Sequence, residues 1–396
     1  MSQLSLSLRR RFFWLMRGIK PSWNRKEEVW LFRDEDVREV LERDKDFTLR
    51  PINATTIERR IGAFLLSRDD GAEYQHEVGV MRSVVHREDL DRIRQFTRTL
   101  AREICEELSR EASFDVVSRF TRMIPLRLLG EYFGAPGPDD ASMLRWNRSL
   151  FWDIFLNQKN EVAPIEAGEK SAAELNGYLK TRIAELKASL RAGEEIEDTL
   201  LSRLVHLQQS DQPSLDDDGI RRTFAGTLLG AEEPIAKACV NILNQFFHRP
   251  RILAQARDAA AKDDMELVSK LAFEAFRFHP NLPVIIRYSE KNQWLGEKRR
   301  FIPKGKKVYA LISSAMFDKR RFAEPSRFRI DRPREDYLYF GHGLHTCYGN
   351  YINYVVIPEM LAALLRIKGL RPATAQAGTI QYEGTFPQSW LLTTHT

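Results

Sequence analysis

The sequence predicts a mainly α fold with small β-sheets, built as one domain over residues 1–396. Three observations carry that expectation. From about Asp89 to Phe278 apolar residues recur at helical spacing, interrupted only by short turns rich in Pro, Gly and Asp. Strand-like pieces are few, brief and gathered toward the two ends of the chain. No repeat, low-complexity tract or long linker divides the pattern, although 396 residues would allow two or three domains by size.

Taken in order, residues 1–25 are a basic and briefly apolar segment centred on Arg9-Arg10-Arg11-Phe12-Phe13-Trp14-Leu15-Met16-Arg17. Its five consecutive apolar residues are too few to cross a bilayer or to form a signal-peptide core. Two outcomes suit it: a helix packed on its own domain, or peripheral contact with an anionic membrane. Val29 to Phe32 alternates into a strand, and Asp34 to Leu41 opens with an acidic first turn, as a helix does. Breaks fall at Gly134 to Asp139 and at Gln209 to Asp218. A long helix is expected from Thr223 to Phe247, stopped by His248-Arg249-Pro250, and another over residues 270–280, ended by Pro280. Val284–Tyr288, Lys307–Leu311 and Thr379–Tyr382 read as strands, and Tyr351 to Leu365 as helix.

Apolar content of 43% and charged content of 29% are those of an ordinary globular protein. The net charge of +6 is diffuse, with no basic block interleaved with aromatics, so nucleic acid is not an expected partner. Three widely spaced cysteines, Cys105, Cys239 and Cys347, argue against a disulfide framework and for a reducing, cytoplasmic compartment.

The most informative stretch is Phe340-Gly341-His342-Gly343-Leu344-His345-Thr346-Cys347-Tyr348-Gly349. Glycines let the backbone pass close to a flat ligand and aim N–H groups at one sulfur. Such donors, with the N-terminus of the helix that follows, should stabilise a thiolate and lower the Cys347 pKa. His342, His345 and Cys347 as zinc ligands form the competing reading, but no fourth ligand lies near in sequence. The decapeptide resembles the haem loop of cytochromes P-450, F-G-x-G-x-[R/H]-x-C-x-G. The resemblance implies haem b as cofactor, with Cys347 as axial iron ligand, His345 reaching a propionate, and Phe340, Gly341 and Gly349 shaping the seat.

Other segments are similar to the same family. Glu274 and Arg277, three apart on one helix face, resemble its E-x-x-R pair. Phe322-Ala323-Glu324-Pro325-Ser326-Arg327-Phe328 resembles its F-x-x-P-x-x-F segment, which implies that Arg327 completes a buried charged triad. Arg287 stands where the family places a propionate-binding arginine. Arg82, with Tyr74 or His76, stands in for the second donor set, at a spacing longer by about two than the usual D-P-P-x-H-x-x-x-R.

Leu229-Gly230-Ala231-Glu232-Glu233-Pro234 aligns with A-G-x-[D/E]-T-T of the family's distal haem helix, so Glu232 takes the acid position and Glu233 that of the threonine. A hydroxyl both donates and accepts, whereas an ionised carboxylate only accepts. Burial beside haem should raise the Glu233 pKa and permit proton exchange near neutrality, making Glu233 and Glu232 the expected catalytic pair. An outward Glu233–Lys237 i,i+4 pair is the competing reading. Family analogy names Phe224, Leu228, Leu282, Val284, Ile285 and Phe386 as pocket-lining residues. Between Arg334 and Arg366 no Lys or Arg occurs, so that segment offers little to an acidic electron donor.

The resemblance thus implies a monooxygenase that oxidises a small hydrophobic substrate with dioxygen and electrons from a ferredoxin or flavodoxin-type partner. Its alternatives are a peroxide-dependent peroxygenase or hydroperoxide-rearranging enzyme using Glu233, and a haem sensor without turnover.

Overall fold

Helix-favouring periodicity over most of the chain closes into fourteen α-helices in a computed structural model that describes residues 6–157, 159–210, 215–296, 299–374 and 378–394. In chain order they begin with α1 (Leu6–Ile19), α2 (Asp34–Glu42), α3 (Arg50–Arg60), α4 (Ala72–Val84) and α5 (Leu90–Leu108). The middle set is α6 (Met123–Glu131), α7 (Asp140–Phe151), α8 (Val162–Arg191), α9 (Leu200–Gln209) and α10 (Asp217–Phe247). The last are α11 (Pro250–Ala261), α12 (Met265–Phe278), α13 (Ile312–Ala315) and α14 (Asn350–Arg366).

Twelve short strands sit between them. β1 (Ser22–Asn24), β2 (Glu28–Leu31), β3 (Phe47–Thr48), β5 (Ile285–Ser289) and β8 (Lys307–Ala310) form a sheet of order β1-β2-β8-β5-β3, in which only β2 and β8 run parallel. β6 (Gln293–Leu295) pairs with β7 (Arg300–Ile302), and β10 (Gln381–Glu383) with β11 (Phe386–Ser389). β4 (Ser113–Asp115), β12 (Leu391–Thr393) and β9 (Arg371–Pro372) complete a three-stranded ribbon. The single, mainly α architecture agrees with the expectation from sequence.

Two helices are buried on nearly every side, as central helices must be when apolar residues surround the axis. These are α10 and α14, and α14 packs against α5 and α12. α10 begins six residues before the expected Thr223, inside the stretch read as a break. Asp216 makes that start possible: its side chain accepts a 2.6 Å hydrogen bond from the Gly219 N–H and caps the first turn. Of the expected break, residues 211–214 lie outside the described residues.

Beneath the cysteine loop, α12 delivers a fully buried Glu274. It accepts from Arg277 Nη2 at 2.7 Å and Nε at 3.0 Å, from the Arg329 N–H at 3.0 Å and from the Tyr337 hydroxyl at 2.9 Å. Arg327 does not complete this cluster. Its side chain is 74% exposed and pairs with Glu324 at 2.7 Å, while only its carbonyl accepts from Arg277. The third member is the buried Arg332, whose Nε lies 3.6 Å from Glu274. The segment turns at Glu324, where φ is +48°, and this carries Arg327 outward before the chain returns with Arg332.

Removing one partner from a buried charged cluster leaves the others uncompensated. Glu274→Ala should therefore cost about 3 kcal/mol or more, seen as a lower urea midpoint.

Candidate active site

Cys347 closes a tight turn whose backbone makes its own support. Its N–H donates to the Phe340 carbonyl at 2.7 Å, and the Asn350 N–H donates to the Cys347 carbonyl at 3.2 Å, at the first turn of α14. The Thr346 N–H and hydroxyl both donate to the Gly343 carbonyl, at 3.1 and 2.8 Å. Gly343 has φ +72°, and a Cβ there would stand 2.1 Å from the Leu41 carbonyl oxygen, so only glycine brings the loop against α2. Phe340 anchors the other end of the loop, edge-on to Tyr339 and Tyr354 with ring centroids 5.0 and 5.4 Å away.

Cys347 is exposed as a residue, yet burial among surrounding residues pushes its thiol pKa up, as on the floor of a cleft. The Gly349 N–H acts in the opposite direction and is the smaller effect. The expected net lowering of the Cys347 pKa is therefore not what the protein alone provides. A cationic metal at the sulfur is what would hold it as thiolate. Among the described residues no three His, Cys, Asp or Glu converge on one point. His342 instead pairs with Glu42, Nε2 to Oε1 at 2.6 Å, which removes the zinc reading.

Beside this cleft the polar groups are short of counter-charge. His345 Nδ1 is buried without a partner. Burial first, then the nearby Arg287 charge, lowers the His345 pKa to about 3. Arg287 is itself buried on β5, where burial lowers its pKa to about 10 against the opposing pull of Asp44 and Asp69. Tyr74 on α4 stands edge-on to His345 at 5.2 Å, and its hydroxyl donates to the Leu344 carbonyl at 2.7 Å. A cationic side chain and a buried, unsatisfied imidazole next to an open thiol fit a cofactor with two carboxylates and a metal centre. Haem is such a cofactor.

Arg82 is exposed on α4, and its charge acts on both Tyr74 and Tyr348. His76 is placed elsewhere. Two residues on from Tyr74, it is carried to another face of α4. There it lines an outer groove of about 320 Å³ with Arg68, Glu77, Asp216 and Arg222.

On α10 the open side is marked by Gly230, exposed and with nothing within 4 Å of an added Cβ, and by the half-buried Pro234 one turn on. Proline removes the N–H that would bond the Gly230 carbonyl. Asn281 steadies the site from outside, its Nδ2 donating to the Pro234 carbonyl at 2.7 Å. At about 100° per residue, Glu233 falls on the flank of this open side and Glu232 nearly opposite it.

The surroundings of the two carboxylates differ accordingly. Glu233 is buried and ion-paired: Oε1 accepts from Arg148 Nη2 at 2.6 Å and Nε at 2.9 Å, with Arg122 Nε 3.7 Å away. Burial raises its pKa and Arg148 opposes that rise. Lys237 does not form the outward pair. It is buried, and its Nζ donates to the Asn281 carbonyl at 2.9 Å. Glu232 is fully buried with both oxygens unpartnered, and burial together with the Glu233 charge raises its pKa well above the usual range. Two adjacent carboxyls in this setting hold a proton on Glu232 and the negative charge on Glu233.

Phe224 and Leu228 share the back of α10 with Glu232 and are fully packed in the core. They do not line the open side. Phe386 is also buried, against Phe151, Trp152 and the Arg148 guanidinium. Leu282, Val284 and Ile285 retain exposed surface. Arg148, Arg122, Asn281 and Arg332 were not singled out in the sequence. Arginines at helical spacing carry no local mark of inward direction.

The cytochrome P450 family model matches residues 20–367. The chain belongs to the cytochrome P450 family. Among its relatives, mycinamicin IV hydroxylase/epoxidase of Micromonospora griseorubida is 28% identical over 89% of this chain and 85% of that protein. Beta-dihydromenaquinone-9 omega-hydroxylase of Mycobacterium tuberculosis is 25% identical over 91% of this chain and 71% of that protein. The structure of CalO2 superposes with a TM-score of 0.84 at 20% identity, covering 98% of this chain and 96% of the other. This P450 is accordingly an oxidoreductase of the haem monooxygenase class.

Two outcomes follow from these surroundings. Charge-assisted hydrogen bonds contribute about 1.5–3 kcal/mol each. Arg287→Ala should therefore speed loss of haem to an apo-globin acceptor by about tenfold or more. Lys237, lowered by burial to about 8, binds fewer protons folded than unfolded as pH rises from there toward its ordinary value of about 10.4. Over that window wild-type stability should increase relative to Lys237→Met, measured as the difference in Tm.

Proposed function

We propose that this P450 binds haem b and oxidises a small lipophilic molecule with dioxygen, using electrons from a ferredoxin or flavodoxin-type protein in the cytoplasm. The observation that carries this reading is the open Cys347 thiol beside Arg287 and the unpartnered His345, a donor set matched to an iron porphyrin with two propionates. When bound, the haem supplies dioxygen activation and oxygen transfer.

The chain's own residues then have separable tasks. Cys347 ligates the iron and is held by its turn and by the Gly349 N–H. Arg287, His345, Tyr74 and Arg82 face the propionates, and Phe340, Gly341 and Gly349 shape the seat. Leu282, Val284 and Ile285 offer apolar surface to the substrate. The relatives named as hydroxylases and epoxidases support oxygen insertion as the reaction.

An acidic donor protein has cations to meet. The Arg87 guanidinium lies 5.2 Å over the Tyr351 ring, on the first turn of α14, and Arg82 acts on Tyr348. α4 and the turn that follows it thus supply the positive charge that the segment from Arg334 to Arg366 lacks. Free, buried Cys105 and Cys239 suit a reducing compartment. Among the described residues no helix is long and apolar enough to cross a membrane.

Glu233 is assigned to positioning. Its ion pair with Arg148 holds α7 against α10, and a carboxylate engaged in this way is a poor proton donor. Glu232, protonated and fully buried, is the proton-holding member, on the side of α10 away from Gly230. With hydrogen peroxide and a chromogenic dye, Glu233→Gln should stay within about tenfold of wild type, short of the ~10²–10⁴-fold that acid–base help supplies. A drop of about a hundredfold would make Glu233 a proton carrier and favour peroxide as the oxidant. Product formation from lipophilic substrates with a surrogate ferredoxin, its reductase and NADPH tests the partner-driven route directly.

A further inference from the structure

α1 carries apolar side chains on both sides: Phe12, Phe13 and Met16 pack inward with Phe32 and Leu311, and a second apolar set faces out. Two arginines also turn inward. Arg17 is buried, and its Nη1 donates to both the carbonyl and the hydroxyl of Ser314 at 2.9 Å. Arg10 donates to the Phe278 carbonyl at 2.8 Å and lies 4.9 and 4.8 Å from the rings of Phe278 and Phe317. Phe13 is the only fully apolar side chain that α1 buries among its described residues, and it packs on Phe32. The outward side presents Leu8, Trp14, Leu15 and Ile19 at 50, 69, 46 and 75% exposure, with Arg11 among them. Large apolar side chains clustered on an outer face mark a contact surface.

The charge around this face selects its occupant. Residues 1–26 contain seven Lys or Arg (Arg9, Arg10, Arg11, Arg17, Lys20, Arg25, Lys26) and no Asp or Glu. Lys20 and Arg25 flank the Trp23 ring at 5.9 and 5.3 Å, next to the end of α1. A second copy of the chain would bring the same cations against one another. Apolar side chains, an exposed Trp and a cationic fringe together match the interface of an anionic lipid bilayer. We propose that the outward face of α1 seats this protein on anionic membrane surface, with Leu8, Trp14, Leu15 and Ile19 entering the lipid and Arg11, Lys20 and Lys26 meeting the headgroups.

The test is co-sedimentation of the full haem-loaded chain with vesicles of phosphatidylglycerol or of phosphatidylcholine, for wild type and the double variant Leu15→Asp/Ile19→Asp. Wild type should bind phosphatidylglycerol vesicles, weakly or not at all phosphatidylcholine, and less as salt is raised. The variant should bind at least about tenfold more weakly, because two apolar anchors are lost, while its reduced carbon monoxide spectrum is unchanged. A variant that also loses that spectrum has misfolded; the single variant Trp14→Ser, with intrinsic fluorescence as readout, then decides between the outcomes. The proposal is overturned if wild type fails to bind phosphatidylglycerol, or if spectrally intact variants bind as well as wild type. It is equally overturned if sedimentation shows a dimer that Leu15→Asp/Ile19→Asp dissociates, since the face would then belong to a second copy.

Discussion

Everything at the cysteine depends on one buried carboxylate. Glu274 gathers Arg277 from its own helix, the Arg329 N–H, Arg332 and the Tyr337 hydroxyl into one buried cluster. Arg329, Arg332 and Tyr337 sit on the stretch of chain that runs directly into Phe340, so the carboxylate fixes the starting point of the loop. Tyr337 then stacks on Tyr339 while Phe276 lies tilted against it, and Phe340 continues the aromatic layer to Tyr354 on α14. The loop is thereby clamped between α12 and α14 before any cofactor is considered. Ion pairing inside a protein is a weak source of net stability but a strong source of definite geometry, because half-formed versions are so costly. That is the use made of it here.

The site itself is electrostatically incomplete in a directed way. Cys347, His345 and Arg287 each pay desolvation without full compensation from the protein, and all three deficits lie next to one another. An anionic group with a metal at its centre relieves the three at once. The distal side is built on the opposite principle. There the charge on Glu233 is matched by Arg148 and Arg122, and the unmatched carboxyl, Glu232, avoids charge by keeping its proton. One side invites a ligand, and the other is neutral without one.

The sequence made much of this legible. The glycine-turn cysteine loop, the buried Glu274–Arg277 pair and the long central helix each left a local signature, in residue type and spacing. What escaped was direction. Nothing near Arg327 in sequence distinguishes it from Arg332, and the left-handed residue at Glu324 that separates their fates is a property of the folded turn. Likewise the helical repeat places Glu233 and Lys237 on one stripe but does not say whether the stripe faces water. Arg148, 85 positions away, decides that. Phe224 and Leu228 were misplaced for the same reason, since a helix buried on nearly every side gives no clue to which side opens on a cleft.

Arg148 also joins three elements. Besides Glu233 on α10, its Nη1 reaches Gln388 at 2.6 Å and Glu383 at 3.3 Å on the β10–β11 hairpin, and Phe386 lies under its guanidinium. α7 therefore cannot lift alone. Raising it strips Glu233 of its main counter-charge and releases the hairpin in the same motion, so helix and hairpin move as one cooperative unit.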